Sequence, residues 1–360
     1  MLMKRWLSAA TAAILMSGAV LADAQAQDKR FEGVTLVVGT FGGSWKDRIN
    51  EYIGREFTAL GGTLSFVEGN PRDLLAKLVA ARGQAAPMDV VEVVDTTWPL
   101  IDKAGFAATL NLDNIPNVKH LDESMYDDGK VANWITEEGF ILLGEKFKEL
   151  DIAVPTKFTD LVNPKLAGRI TFPDINVNTA INPIVGFAIN TGGDVDNLAS
   201  GLEAIRDLQV HSFWNSGTQV TQLFQTGDIW AAIAHAGWGV RLFDAGVPVC
   251  MVHPVVGSNR GMISRGYAAV VANSEQAEAA EWYINMLVSE EMQTILHTQN
   301  GVVPTNTLVQ SKYAADPKLD ACGNPFLLLS PEEIGNLYSI DYDKLDMEGL
   351  IDQWNRTVAQ

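Results

Sequence analysis

Cysteine is almost absent. Cys250 and Cys322 are the two in 360 residues, and with no CxxC and no Cys/His cluster the chain carries no zinc-finger or thioredoxin-type signature. There is no GxSxG elbow, HExxH helix, Walker loop or GxGxxG turn, so the local signatures of hydrolase, metalloprotease, nucleotide and dinucleotide chemistry are missing. Gly39-x-x-Gly42-Gly43 is followed by no GK[ST] and is not a phosphate loop. The five histidines, His120, His211, His235, His253 and His297, show no i,i+4 ligand pair. "DYDKLDMEG" (341–349) fails as a calcium loop, with Leu345 at the fifth position and Asp346 where the turn glycine belongs. No metal and no cofactor is expected. Basic residues are also scarce: 26 Lys and Arg stand against 44 Asp and Glu, a formal charge of −18. That balance argues against nucleic acid and anionic membrane as partners.

What is present begins with a leader. Lys4 and Arg5 precede the apolar "LSAATAAILMSGAVLA", and Ala24-Gln25-Ala26 supplies a small-x-small cleavage pattern. Residues 1–26 are read as a signal peptide cleaved after Ala26, with Ala22 the runner-up point. No later run approaches the ~20 apolar residues of a spanning helix. No cysteine lies in the leader for lipid attachment. The mature chain is expected in the periplasm, where an even pair of cysteines is expected to be bridged as Cys250–Cys322.

Strand-like and helix-like runs alternate, the pattern of an α/β protein. "VTLVVGTF" (34–41) is a buried strand. From Ser44, which opens a capping-box-like Ser44-x-x-Asp47, apolar residues recur at Trp45, Ile49, Ile53, Phe57 and Leu60. "TLSFVEG" (63–69) is a second strand, and "NPRDLLAKLVAA" a helix with Asn70 as cap and Pro71 at its first position. "MDVVEVVD" (88–95) is a third strand. In the second half "GRITFPD" (168–174), "IWAAIAHAG" (229–237) and "GMISRGYAAVVANS" are strands. "SEQAEAAEWYINMLVSEEMQTILHTQNG" reads as one long helix closed by Gly301. Ligands of open α/β sheets sit at strand C-terminal ends. Trp45, Trp98, Trp134, Trp214 and Trp238 fall at loop-like, polar positions, material for the aromatic walls of a small-molecule cleft.

"PTKFTDLVNPKLAGRITFPD" (155–174), "SEEMQTILHTQNGVVPTNT" (289–307), "TFGGSW" and "DVVEVVDTTW" together resemble the spermidine/putrescine-type periplasmic solute-binding proteins, the receptors of ABC importers. The resemblance covers most of the mature chain. It implies a type II periplasmic binding protein fold: two α/β lobes joined by two crossover strands, with the ligand cleft between them. The crossovers are expected near Trp134–Gly139 and Met262–Ala268. Lobe 1 would comprise 27–134 and 262–305, and lobe 2 135–261 and 306–360.

Carried over to this chain, the binding positions are Phe41, Gly43, Ser44 and Trp45 in the first loop and Asp95 and Thr96 in the third. Trp134 and Glu137 follow at the first crossover, Asp174 and Asn178 beyond the TFPD-like strand, then Trp214, His235 and Trp238, and Arg265 and Tyr267 on the second crossover. Three of the family's acidic positions are lost. The second-lobe glutamate falls in "INVNT", which has no carboxylate. The Trp-x-Gly-Asp element reads His235-Ala-Gly-Trp238, and the hinge aspartate aligns with Gly266 beside Arg265. The expectation is therefore a ligand with at least one anionic group. Arg265, and the helix start left open behind Gly42–Gly43, would hold that group. The alternative for Arg265 is pairing with an acid such as Glu137. Asp95 and Glu137 could accept an ammonium group, and a polyamine bound differently stays compatible. The implied role is a monomeric, non-enzymatic receptor that hands a small solute to membrane permease subunits. A secreted enzyme using the same cleft is the second reading.

Overall fold

The computed structural model describes residues 29–359; the leader and the cleavage site after Ala26 lie outside the described residues. Nine strands form one sheet: β1 (Thr35–Thr40), β2 (Thr63–Glu68), β3 (Val90–Val94), β4 (Val131–Leu142), β5 (Ile170–Pro173), β6 (Ser212–Trp214), β7 (Ala231–His235), β8 (Cys250–Val252) and β9 (Met262–Val270). Their order is β2-β1-β3-β9-β4-β7-β5-β6, with β8 also on β4. The pairing is parallel at both ends of the sheet, β1 with β2 and β3, and β5 with β6 and β7. It is antiparallel through the middle, where β9 lies between β3 and β4 and β4 meets β7 and β8. Parallel strands need crossover helices on their faces, which is why the sequence alternates strand and helix. The two long middle strands belong to both halves: Glu138 on β4 pairs with Met262 of β9 and with His235 of β7.

Local chemistry explains the helices. The first, α1 (Ser44–Ile49), runs on through a π-helical turn, Asn50–Gly54, into Arg55–Ala59, burying the stripe Trp45, Ile49, Ile53 and Phe57. Its N-cap is Gly43, at φ 65°, and no side chain caps it. Ser44 is the first helical residue instead of the expected cap, because a backbone at that positive φ suits glycine. In α2 (Pro71–Ala80), Asn70 does cap, accepting from Asp73 N, with Pro71 first in the helix. The remaining helices that matter for the site are α3 (Ile181–Asn190), α4 (Gly217–Thr226), α5 (Ala236–Asp244), α6 (Ala277–Leu287) and α7 (Glu290–Asn300).

The single long helix expected over 274–301 is two. It breaks at Val288–Ser289, where Ser289 Oγ accepts from Met292 N and starts α7 with Glu290 and Glu291 in its first turn. A serine followed by two acids is a helix start, and it overrides the continuous apolar stripe. Gly301, at φ 69°, closes α7 as expected.

Cys250, opening β8, is bridged to Cys322 with Cα atoms 5.4 Å apart. Gly144 makes room for the bridge: a Cβ there would lie 2.6 Å from the Cys250 sulfur. Asp320 accepts from the backbone N–H groups of Met251, Cys322 and Asn324, so hydrogen bonds as well as the bridge hold the segment on β8. Closing a loop of 72 residues is worth about 4 kcal/mol on the chain-entropy model, less where the reduced chain stays compact. Urea unfolding with and without reductant should give a loss of about 2–4 kcal/mol; an unchanged midpoint would rule this contribution out.

Candidate functional site

The loops that leave β1, β3, β5 and β7 at their C-terminal ends converge on one side of the two middle strands. They enclose a cavity of about 340 Å³. Phe41 and Trp45 come from the first loop and α1, Val94, Asp95 and Thr96 from the end of β3, and Val177, Asn178 and Thr179 from the loop after β5. His235, Trp238 and Arg241 come from the end of β7 and α5; Trp134, Thr136 and Ser264 from the middle strands; and Val302 from the turn after α7.

The apolar part of the wall is aromatic. Phe41, Trp45 and Trp134 stand mutually edge-to-face with centroids 6.1–6.2 Å apart. Trp134 lies directly over Gly266, where a Cβ would fall 2.0 Å from the indole. The space over Gly266, the position the resemblance aligns with a carboxylate, is thus filled by a ring. Across the cavity Trp238 packs on His235 and, behind it, on Trp214. Gly217, which opens α4, leaves the space that the Trp238 ring needs.

The polar part is sparse and under-satisfied. Asp95 Oδ2 accepts from Arg265 N at 2.9 Å. Burial still pushes its pKa up, to about 7, against that hydrogen bond and the Arg265 charge. Asp95 is the one acidic residue among those lining the cavity. His235 Nδ1 lies 2.5 Å from Oε1 of the buried Glu138, off the hydrogen-bond axis. Ser264 Oγ accepts from Asn182 Nδ2 of α3, and Asn182 Oδ1 accepts from Tyr342 OH. On the far wall Arg241, which lines both this cavity and the adjoining pocket over α4, has its Nη2 donating to the carbonyl of Asn300. Five buried polar atoms of lining residues make no hydrogen bond: the hydroxyls of Thr96, Thr136 and Thr179, Nε1 of Trp134 and Nδ1 of His235. Buried groups of this kind are normally paired, and in a cavity wall a bound polar molecule is what would pair them.

Of the positions expected from the sequence, Phe41, Trp45, Asp95, Thr96, Trp134, Asn178, His235 and Trp238 line this cavity. The others do not. Gly43 and Ser44 are exposed beside it, and the space over Gly42 holds the Glu68 carboxylate, 2.5 Å from where a Cβ would be. Glu68 also pairs with Lys46 at 3.0 Å, so an acid and not an open anion site occupies the start of α1. Asp174 turns back to accept from Asn176 within its own loop. Trp214 is fully buried, its N–H spent on the Ile233 carbonyl. Glu137 and Arg265 lose their expected roles to strand alternation, which sends successive side chains to opposite faces. Thr136 and Ser264, register partners, face the cavity. Their neighbours Glu137 and Arg265 do not: Glu137 is buried against His253, and Arg265 Nη1 donates to Ser339 Oγ. Tyr267 packs on Trp98, with the Lys130 ammonium over both rings.

Sequence reasoning missed Arg241, Thr136, Thr179 and Ser264. A signal for Arg241 existed: it follows Trp238 by three residues on one helix, so the two share a face.

Among the described residues no helix is long and apolar enough to cross a membrane. No curated protein matches the sequence. Solved structures share the fold. An ABC transporter protein from Clostridium perfringens superposes with TM-score 0.72 at 22% identity, covering 90% of this chain and 99% of its own. A periplasmic binding protein of A. tumefaciens B6 in complex with glucopine gives 0.68 at 17%, covering 90% and 99%. A structure assigned to spermidine/putrescine ABC transport in Listeria monocytogenes gives 0.70 at 14%, covering 90% and 98%. The profile of one sequence family, described as bacterial extracellular solute-binding protein, matches residues 55–321. With that match over most of its length and a cavity between two α/β halves, the chain belongs to the bacterial extracellular solute-binding protein family.

Proposed function

We propose that the protein is the periplasmic solute-binding component of an ABC importer, and that its solute is a small zwitterion. The carrying observation is the pairing of one carboxylate with one guanidinium across an aromatic cavity. Asp95 stands beside the Phe41–Trp45–Trp134 cluster in one half, and Arg241 beside Trp238 in the other. An ammonium group gains from ring faces and a carboxylate together. A guanidinium fork suits a carboxylate or another planar anion. A diamine or polyamine carries two or more cations but would meet a single acidic lining residue, which weighs against it. The anionic end expected from the sequence is kept, with Arg241 taking the place of Arg265.

The lobes we propose, 27–134 with 262–305 and 135–261 with 306–360, each supply one wall. Solute would favour the arrangement in which both walls engage. The protein would act as a monomer, delivering the solute to permease subunits.

A thermal-shift screen of the mature protein tests this with ω-amino acids, betaines, amino-acid–sugar conjugates, polyamines and dicarboxylates. A zwitterion at 100 times its Kd should add about 2.7 kcal/mol of stability. Arg241→Ala should weaken its binding more than about tenfold. Stabilisation by polyamines alone, untouched by Arg241→Ala, would reject the zwitterion.

A further inference from the structure

Glu92 is the least expected side chain in the sheet. It sits in the middle of β3, "VVEVV", fully buried among valines. A carboxylate there is costly unless donors surround it, and a leucine would pack the same position without that cost. Three donors do surround it, each from a different element. Trp45 Nε1 of α1 donates to Oε2 at 3.0 Å, Asn133 Nδ2 of β4 to the same oxygen at 3.2 Å, and Tyr283 OH of α6 to Oε1 at 2.8 Å. Burial raises the pKa of Glu92, and these donors only partly offset the rise.

The network ends at the cavity. Trp45 is a lining residue and touches both other rings of the aromatic cluster. An indole has a single donor, and in Trp45 it is spent on Glu92, on the side away from the solute space. Two consequences follow. The ring cannot turn without breaking this buried hydrogen bond and leaving both groups unpaired in the interior. The cavity also meets ring carbon and no N–H at this wall. The ring face turned to the cavity attracts a cation electrostatically.

We infer that Glu92 is a positioning residue for recognition: through the Trp45 N–H it fixes the indole so that this wall receives a cationic group and refuses an anionic one. The inference rests on the zwitterion reading of the cavity for its ligand, but not for its geometry.

The test combines a ligand-free signal with a binding probe, γ-aminobutyrate, which carries one ammonium and one carboxylate. The Trp45 indole proton, identified by its disappearance in Trp45→Phe, should be protected from exchange in the wild type. It should exchange at least about tenfold faster in Glu92→Leu, where the acceptor is gone. Glu92→Gln keeps the shape and one accepting oxygen but puts an amide NH2 where the other oxygen accepts, so it should shift that signal and weaken γ-aminobutyrate about three- to tenfold. In a Trp45→Phe background the same Gln substitution should cost nothing more, because a residue acting through Trp45 has no lever once the indole is gone. A merely structural Glu92 would instead give additive losses, and that result overturns the inference. So does an indole signal that neither substitution moves. Should Glu92→Leu fail to fold, Glu92→Gln and the double-mutant comparison decide alone. If γ-aminobutyrate does not bind the wild type, the zwitterion reading loses its simplest member, and the positioning role stands or falls on the indole signals.

Discussion

Glu137→Ala is expected to lower folding stability by about 3–5 kcal/mol, from a cavity in the core and the loss of an acceptor for two buried groups. Glu137 is fully buried on β4, on the face away from the solute cavity. Its Oε2 lies 2.6 Å from His253 Nε2, and Leu328 N donates to both carboxylate oxygens at 2.9 and 3.1 Å. Removing the carboxylate leaves an imidazole and a backbone N–H without partners in the interior. Replacing both side chains together, as Glu137→Leu with His253→Phe, should cost less than Glu137→Ala alone, since no imidazole is left unpartnered and the volume is refilled. Urea unfolding of the wild type and the two variants checks this. A loss below about 1 kcal/mol for Glu137→Ala would mean that the pair contributes like a surface contact.

The second large effect is on affinity and has a defined sign with pH. Asp95 has a folded-state pKa of about 7, above its ordinary value of about 3.9. In the ligand-free protein this carboxyl favours folding in its protonated form. Its contribution is complete below about pH 4 and is lost as pH rises through 7. Binding runs the other way. A cationic group on the solute favours ionised Asp95, so affinity should climb as pH rises toward 7 and level off above it. Between pH 5.5 and 8 the gain for a solute with a permanent positive charge should approach about 30-fold, close to tenfold per unit below the pKa. Asp95→Asn should flatten that profile and weaken binding at pH 8 by more than about tenfold. Isothermal titrations at the two pH values distinguish the outcomes. A pH-independent affinity in the wild type removes Asp95 from the cation site.

The strands and the loops that carry the site were legible because they depend on local pattern. Continuous valine runs give β1 and β3, Asn70-Pro71 starts a helix, and aromatic residues follow the strand ends. What the sequence did not show was phase. In an amphipathic strand, alternation of polar and apolar residues reveals which face is buried. In β4 and β9 both faces are covered: Thr136 and Glu137, or Ser264 and Arg265, are neighbours with equal claim to the cavity. The register that settles the matter, Ser264 opposite Thr136, is a tertiary fact. The same holds for Trp214 and Trp238, both tryptophans near strand ends, where one turns out to be the backing of the other. The acid at the start of α1 came from β2, 26 residues away from Gly42, and no local pattern could supply it. Glu92 was in plain view within a strand, but a lone charge in a valine run says nothing of its partners until three distant elements meet there.

The ring of Trp134 over Gly266 sets a constraint on descent. An aspartate introduced at 266 alone would collide with the indole, its Cβ 2.0 Å from ring atoms. Trp134 reduced to a small residue alone would open a hole in the aromatic wall without adding a charge. Each single step is expected to weaken binding of the present solute without creating a complete site for another. A lineage passing between this cleft and one with a carboxylate at that position must therefore cross a fitness valley or change both residues together. Positions 134 and 266 should co-vary as a unit, and ligand preference in such a lineage should switch abruptly instead of drifting.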